Sequence, residues 1–305
     1  MDELLSKNNH SQEFNRFTAQ KNKRVLLFAG GSTGSIFLHS LINDTQGILS
    51  IPTIFNSIGV YNQYKKSRHK DLQKILKEKT KLNLIFESVS SYRHGDFSGF
   101  NDFNKNIFFK CLHDISKSIS VDSPLDISNL VNFCYMKATN QYVDKDTVIF
   151  EHPHNLSEDI LNKFNKYYDN PTFIVSVRNP IYQVPSFFSY ISDNKLNYQE
   201  ITKRLLSLMN VTLEYSKHQK QTHIFRLEDL NNNPEQEIKR LQNIFNTNDL
   251  ESLKRSQFGG RDYVATSPNN GLVSGFNSIK KKKIKPNTLK DFQVLLNFVK
   301  HNFNY

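Results

Sequence analysis

The sequence predicts an α/β protein whose mostly parallel sheet is covered by helices on both faces. Short, nearly all-apolar runs recur along the chain, and helical patterns separate them. Strands buried on both faces read as continuous apolar runs, and parallel neighbours are normally joined through a helix. A third observation is the stretch "LFAGGSTGSIFLHSL", Leu27 to Leu41. There an apolar run enters a glycine-rich turn and leaves as an amphipathic helix, the layout that gathers backbone N–H groups around an anion.

Taken in order, residues 1–23 are polar and predict an N-terminal arm, loose or partly helical, ahead of one α/β domain over 24–305. "RVLLFAG", from Arg24, is the first strand, and a helix follows from about Ser35 to Asn43. "GILSIP" (47–52) is a short second strand that Pro52 stops. A lysine-rich helical pattern over 61–81 leads to a further strand candidate, "KLNLIFESV" (81–89). Helical patterns over 102–119 and 126–142 precede the strand "DTVIFEHP" (146–153). A helix over 156–168 comes before "PTFIVSVRNP" (171–180), the clearest strand in the chain. Two helical segments over 181–219 are followed by the strand "THIFRLEDL" (222–230). The tail holds the glycine- and asparagine-rich "GGRDYVATSPNNGLVSGF", then "KKKIKP" and a last helix from about Thr288.

A net charge of +11 draws anionic partners without saying which. Cys111 and Cys134 are too few for a disulfide framework or a zinc site, which favours a reducing compartment. The start "MDELLSKNNHSQEFNRF" has neither an apolar targeting segment nor an Arg-rich transit pattern, and no run of apolar residues is long enough to span a bilayer. The expectation is a soluble, cytoplasmic protein.

Ligands of open parallel sheets sit at the carboxyl ends of the strands, so the residues after each strand are the informative ones. In the first turn Gly30, Gly31 and Gly34 permit close approach of an anion, while Ser32, Thr33 and Ser35 add hydroxyl donors. The lysine of the pattern G-x-x-x-x-G-K-[ST] is absent, and no Asp/Glu constellation for Mg²⁺ stands out, so no metal is expected. In "VSVRNPIYQVPSFFSY", Arg178 ends a strand, Asn179 is a good N-cap and Pro180 suits the first helical position. Ser186 follows about two turns later, so a fixed guanidinium and a helix-borne hydroxyl together form a grip for a phosphate.

At these residues the chain resembles the sulfotransferases, in particular bacterial and carbohydrate-type members. "GGSTGSIFLHSL" looks like their 5′-phosphosulfate loop, and "RNPIYQVPS" matches their 3′-phosphate motif, with Arg, Pro and Ser at the expected relative positions. "NDTQGILSIPTIF" resembles the segment after their first helix and "IFRLEDL" their late strand; the matches fall in order over about 24–280. The resemblance implies a single P-loop-NTPase-like three-layer domain that uses 3′-phosphoadenosine 5′-phosphosulfate (PAPS). Gly31, Ser32, Thr33, Gly34, Ser35 and Ile36 would then line the 5′-phosphosulfate, and Arg178 and Ser186 would hold the 3′-phosphate. Arg261, in the tail loop where the family closes a flexible segment over the cofactor, is implied as a second ligand of that phosphate. One departure stands out: Ser32 occupies the place of the family's basic residue. Loss of such a contact to a leaving oxygen costs on the order of 3 kcal/mol of transition-state stabilisation. Arg261 or a lysine of 280–285 is the candidate to supply the charge.

"VIFEHPHNL" puts Glu151, His152 and His154 just past a strand, where many carbohydrate-type members have Glu-Lys-x-Pro. Glu151 or His152 is the expected base for the acceptor's proton, with His152 also able to stand in for the family lysine. His94, in "YRHGDFSGF", is the alternative base. His39 reads as a packed histidine and Asp229 as a helix N-cap. The expected activity is transfer of a sulfuryl group to a hydroxyl or amine of a carbohydrate or small-molecule acceptor. A catalytically silent relative that binds nucleotide or glycan is the other reading, favoured by Ser32. A P-loop kinase is opposed by the missing lysine, and a nucleic-acid binder leaves the ordered motifs unexplained.

Overall fold

The computed structural model describes residues 2–30, 33–68, 71–79, 103–155, 157–179, 181–183, 198–218, 221–258, 261–262, 264–267, 271–274 and 293–303. The candidate strand over 81–89, Pro180 and the "KKKIKP" segment lie outside these residues.

Five strands form the central sheet: β1 (Arg24–Ala29), β2 (Ile48–Ser50), β3 (Val148–Asn155), β4 (Thr172–Val177) and β5 (Thr222–Arg226). Their order is β2-β3-β1-β4-β5, and every neighbouring pair is parallel. The parallel α/β architecture expected from the sequence is therefore present. The order of the strands puts β1 at the centre, and its side chains alternate between two cores. Val25 and Leu27 join Leu38 and Leu41 of helix α2 (Ser35–Ile42) on one face. Leu26 and Phe28 join Phe164 and Leu205 on the other. All four β1 side chains are fully buried, as the central strand of a three-layer domain requires.

The N-terminal arm is helix α1 (Asp2–Ala19), and it is anchored rather than loose. Its Phe14 and Phe17 are buried, each edge-on to Phe133 with ring centroids 5.5 Å apart. Helices α3 (Ser57–Lys66), α4 (Leu72–Lys79), α5 (Lys105–Ser116) and α6 (Pro124–Thr139) complete that third cluster, which encloses Cys111 and Cys134. Helix α6 starts with a capping box, in which the Asp126 N–H donates to Ser123 Oγ and the Ser123 N–H donates to the Asp126 carboxylate. Helix α7 (Glu158–Tyr167) bridges β3 and β4, and α8 (Tyr198–His218) precedes β5.

The strand read over 222–230 stops at Arg226, where α9 (Leu227–Asn232) begins. Asp229 is not its N-cap: it sits in the first turn and pairs with Arg226. Helices α10 (Pro234–Phe245) and α11 (Leu250–Leu253) follow. The tail contains two short antiparallel pairs, β6 (Gln257–Phe258) with β7 (Arg261–Asp262), and β8 (Val264–Ser267) with β9 (Gly271–Ser274). Helix α12 (Gln293–Phe303) closes the described chain, with Leu295 in the core.

Candidate functional site

Register brings three strand ends together. Ala29, the last residue of β1, pairs with Ser176 of β4 on one side and Asn155 of β3 on the other. The turn after β1, Arg178 after β4 and His154 near the end of β3 thus share the carboxyl edge of the sheet. This is where parallel sheets bind their ligands.

The turn is built to leave polar groups unsatisfied. Gly34 takes the left-handed conformation (φ 79°) as the N-cap of α2, and no side chain caps that helix. A helix start carries N–H groups without intrahelical partners and a partial positive charge, both of which suit an anion. Thr33 is almost fully buried (2% exposed), and its hydroxyl has no hydrogen-bond partner among the described residues. A buried hydroxyl without a partner costs free energy unless a ligand or water engages it. The backbone beside it is fixed: Ser176 Oγ donates to the Thr33 carbonyl at 2.9 Å. Phosphate and sulfate oxygens, which only accept hydrogen bonds, fit this set of donors. Ser35 and Ile36 open the helix; Gly31 and Ser32 lie outside the described residues.

Arg178 is half-buried, one residue beyond β4. Asn179 caps the turn after it as expected, with the Ile181 N–H donating to Asn179 Oδ1 at 3.0 Å. The Asn179 N–H in turn donates to Glu228 Oε1 at 3.0 Å, which ties the end of β4 to the start of α9. The other oxygen of Glu228 is buried without a hydrogen-bond partner among the described residues. Glu228 belongs to the E-D-L segment, but no local pattern signals its link to Asn179. Ser186, the expected partner of Arg178, lies outside the described residues.

Strand β3 continues to Asn155, so Glu151 and His152 sit inside it and not past its end. Glu151 pairs in register with Leu26, in the middle of β1. Its carboxylate is 2% exposed and 3.1 Å from Arg24 Nη1, and it accepts from the Ser128 and Tyr168 hydroxyls. Burial pushes the Glu151 carboxyl up from its ordinary value, while Arg24, Ser128 and Tyr168 pull it down. Arg24 also donates to the Ser128 hydroxyl at 2.7 Å. This network is complete and interior. Lys23, just before β1, donates to the Ile244 carbonyl. Neither cation is at the carboxyl edge of the sheet.

Between Leu26 and Phe28 the β1–β3 register slips: Leu26 faces Glu151, and Phe28 faces His154. Two steps of β1 thus match three of β3, a bulge at His152–Pro153, and His154 has a positive φ of 71°. Bulges of this kind re-aim side chains and cluster near functional sites. Here the result is a row of rings. His39 Nε2 lies 3.0 Å from Ser50 Oγ, His39 Nδ1 lies 3.2 Å from His152 Nδ1, and His152 Nε2 lies 3.4 Å from His154 Nδ1. His39 and His152 are buried and His154 is half-buried. Burial pushes His39 down to about 3, against a backbone hydrogen bond at Ile51. Burial also holds His152 well below the ordinary imidazole range, with His39 and His154 adding to the effect. His39 is packed, as the sequence suggested, its ring edge-on to Phe150 and Phe258 at 5.0 Å. Its link to His152 had no signal in the sequence, because the two residues are 113 positions apart in the chain.

His94 lies outside the described residues. The backbone of Arg261 pairs with Phe258, the residue whose ring covers His39, which brings β7 to the α2 side of the sheet. Among the described residues no group of three or more His, Cys, Asp or Glu side chains is arranged to hold a metal ion. No described helix is long and apolar enough to cross a membrane.

No protein-family model matches the sequence, and no curated protein matches it. Solved structures do. The sulfotransferase domain of the Synechococcus PCC 7002 olefin synthase superimposes with a TM-score of 0.53 at 12% identity, over 77% of this chain and 76% of that one. Sulfotransferase STF1 from Mycobacterium tuberculosis H37Rv superimposes with a TM-score of 0.45 at 11% identity, over 97% of this chain and 80% of that one. The parallel sheet, the uncapped turn after β1 and the match to the olefin synthase domain agree: this chain has the fold of a sulfotransferase domain.

Proposed function

We propose that the protein is a PAPS-dependent sulfotransferase that moves a sulfuryl group to a hydroxyl or amine of a carbohydrate or small-molecule acceptor. The observation that carries this reading is the pairing of two anion-binding ends. The uncapped turn with its unpaired Thr33 hydroxyl lies beside the strand that delivers Arg178, and the Ser176–Thr33 hydrogen bond joins them. The fold of the olefin synthase domain and the ordered sequence motifs support it.

When bound, PAPS supplies the activated sulfuryl group, with a phosphate as its leaving group. Gly31, Ser32, Thr33, Gly34, Ser35 and Ile36 would hold the 5′ end, Arg178 and Ser186 the 3′-phosphate, and Arg261 would close over it. The backbone donors at the start of α2 would hold negative charge at the 5′ end of the bound cofactor, with Ser32 in place of a cation. Of the proposed proton acceptors Glu151, His152 and His94, the first is committed to Arg24. Proton removal then falls to the histidines of β3 or to His94, the alternative base, which lies outside the described residues.

The alternative is a silent relative that binds nucleotide or glycan without transfer, and Ser32 is the specific feature favouring it. Incubation with PAPS and a panel of hydroxylated acceptors, following release of 3′-phosphoadenosine 5′-phosphate (PAP), separates the two. Acceptor-dependent release supports the enzyme. Binding of PAP with no release above the uncatalysed rate supports the silent relative.

A further inference from the structure

Two carboxylates stand in the first turn of α9, and they are used differently. Asp229 pairs with Arg226, three residues before it. Glu228 reaches across to the neighbouring strand end instead. Its Oε1 accepts the Asn179 N–H at 3.0 Å, and its Oε2 is buried with no hydrogen-bond partner among the described residues. An acidic side chain in a first turn is favourable at the surface, where water completes its hydrogen bonds. A buried carboxylate oxygen without a partner is a cost. Stability alone therefore does not account for Glu228, and the contact it makes has to.

Asn179 organises the segment that follows Arg178. Its carbonyl oxygen accepts the N–H groups of Tyr182 and Gln183, each at 2.9 Å, and its side-chain oxygen accepts that of Ile181. Those three bonds are local; the bond from its own N–H to Glu228 leads out of the segment to α9. Val177 pairs in register with Arg226, so α9 begins opposite the residue before Arg178. The neighbour of Glu228 faces the other way. Leu227 packs on the first anion-binding turn, where a Cβ at Gly34 would lie 2.5 Å from its methyl. Consecutive residues of α9 thus touch both anion-binding segments, Leu227 the turn and Glu228 the stretch after Arg178.

We propose that Glu228 is a positioning residue that sets the selectivity of the site for nucleotides carrying a 3′-phosphate. By holding the Asn179 N–H it fixes the backbone one residue from Arg178. The inference rests on the sulfotransferase reading, which gives Arg178 that phosphate. The role belongs to the acceptor oxygen and not to the charge, because a neutral amide oxygen can serve the same N–H. It is also confined to one end of the nucleotide. The turn proposed for the 5′ end is packed by Leu227, which a change at Glu228 leaves in place.

Three variants of the full chain separate position from charge. Glu228→Leu removes the acceptor, Glu228→Asp keeps the charge on a shorter arm, and Glu228→Gln keeps an acceptor oxygen without the charge. Calorimetric titration with PAP and with AMP gives the preference for a 3′-phosphate in each. That preference is expected to fall about tenfold in Glu228→Leu and Glu228→Asp, with AMP affinity held within about twofold, and to survive in Glu228→Gln. An equal loss of both nucleotides, an unchanged preference in Glu228→Leu, or a Gln variant that behaves like Leu overturns the proposal. Amide-proton exchange at Asn179 in the free protein is the second measurement, and it needs no nucleotide. Exchange should be slow in the wild type and Glu228→Gln and fast in Glu228→Leu; equal protection in all three overturns the positioning role. A wild type without preference for PAP over AMP would count against the sulfotransferase reading itself, while exchange at Asn179 still decides whether Glu228 holds this segment. If Glu228→Leu does not fold, Glu228→Asp carries both measurements.

Discussion

The side chain of Ser176 donates to the carbonyl oxygen of Thr33 at 2.9 Å, across the line between the central strand's turn and the strand that ends in Arg178. One hydrogen bond thus joins the two segments proposed to hold opposite ends of one nucleotide. Ser176→Ala removes the donor and leaves a buried carbonyl short of a partner, at a cost of about 1–3 kcal/mol. The expected outcome in urea unfolding is a lower midpoint at unchanged slope. Affinity for PAP should fall about tenfold, roughly 1.4 kcal/mol, because the turn loses its tether.

The turn itself can be tested against an internal control. Gly34 and Gly47 both have φ of 79°. A Cβ on Gly34 would lie 2.5 Å from a methyl of Leu227, whereas one on Gly47 meets nothing within 4 Å. Gly47→Ala should cost only the left-handed strain, about 1–2 kcal/mol. Gly34→Ala adds an overlap in a packed region, worth about 1–3 kcal/mol more. Paired urea titrations measure the difference, and equal costs would contradict the packing described at the turn.

Arg24 and Glu151 form an interior ion pair, with side chains 7% and 1% exposed. Removing either one strands the other's charge. Arg24→Met or Glu151→Leu alone should destabilise by about 3–5 kcal/mol. The double substitution should cost clearly less than the sum, since it removes both charges. A double-mutant cycle in urea gives the coupling directly.

The histidine row makes stability depend on pH with a definite sign. His39 is pushed down to about 3, below its ordinary 6.5, and His152 shifts in the same direction. As pH falls below 6.5 the unfolded chain takes up protons that the folded rings refuse. The stabilisation is complete above that value and drains away toward pH 3, by about 1.4 kcal/mol per pH unit for each refused proton. Unfolding free energies at pH 7 and pH 5 should differ by about 2 kcal/mol from His39 alone. His39→Phe should narrow that difference.

Much of this layout was legible in the sequence, for physical reasons. The run from Arg24 to Ala29 is apolar throughout because β1 is central, and the glycines after it announce the turn. The helix from Ser35 was visible in its period. The anchoring of α1 was not, since Phe14 and Phe17 are two apolar residues in a polar arm and their partner, Phe133, is remote in sequence. The sequence puts Glu151 just past its strand, whereas the bulge at His152–Pro153 lets β3 run on to Asn155. Asp229 looked like a cap, but Arg226 claims it. What stayed hidden are the cross-strand links, Ser176 to Thr33 and His39 to His152, which depend on strand order rather than local pattern.

The most direct test of the proposed function is calorimetric titration of the protein with PAP, with AMP and ATP as controls, on the wild type and Arg178→Ala. The account predicts micromolar binding that requires the 3′-phosphate and is lost in the variant. Equal binding of AMP and PAP, indifferent to Arg178, would contradict it.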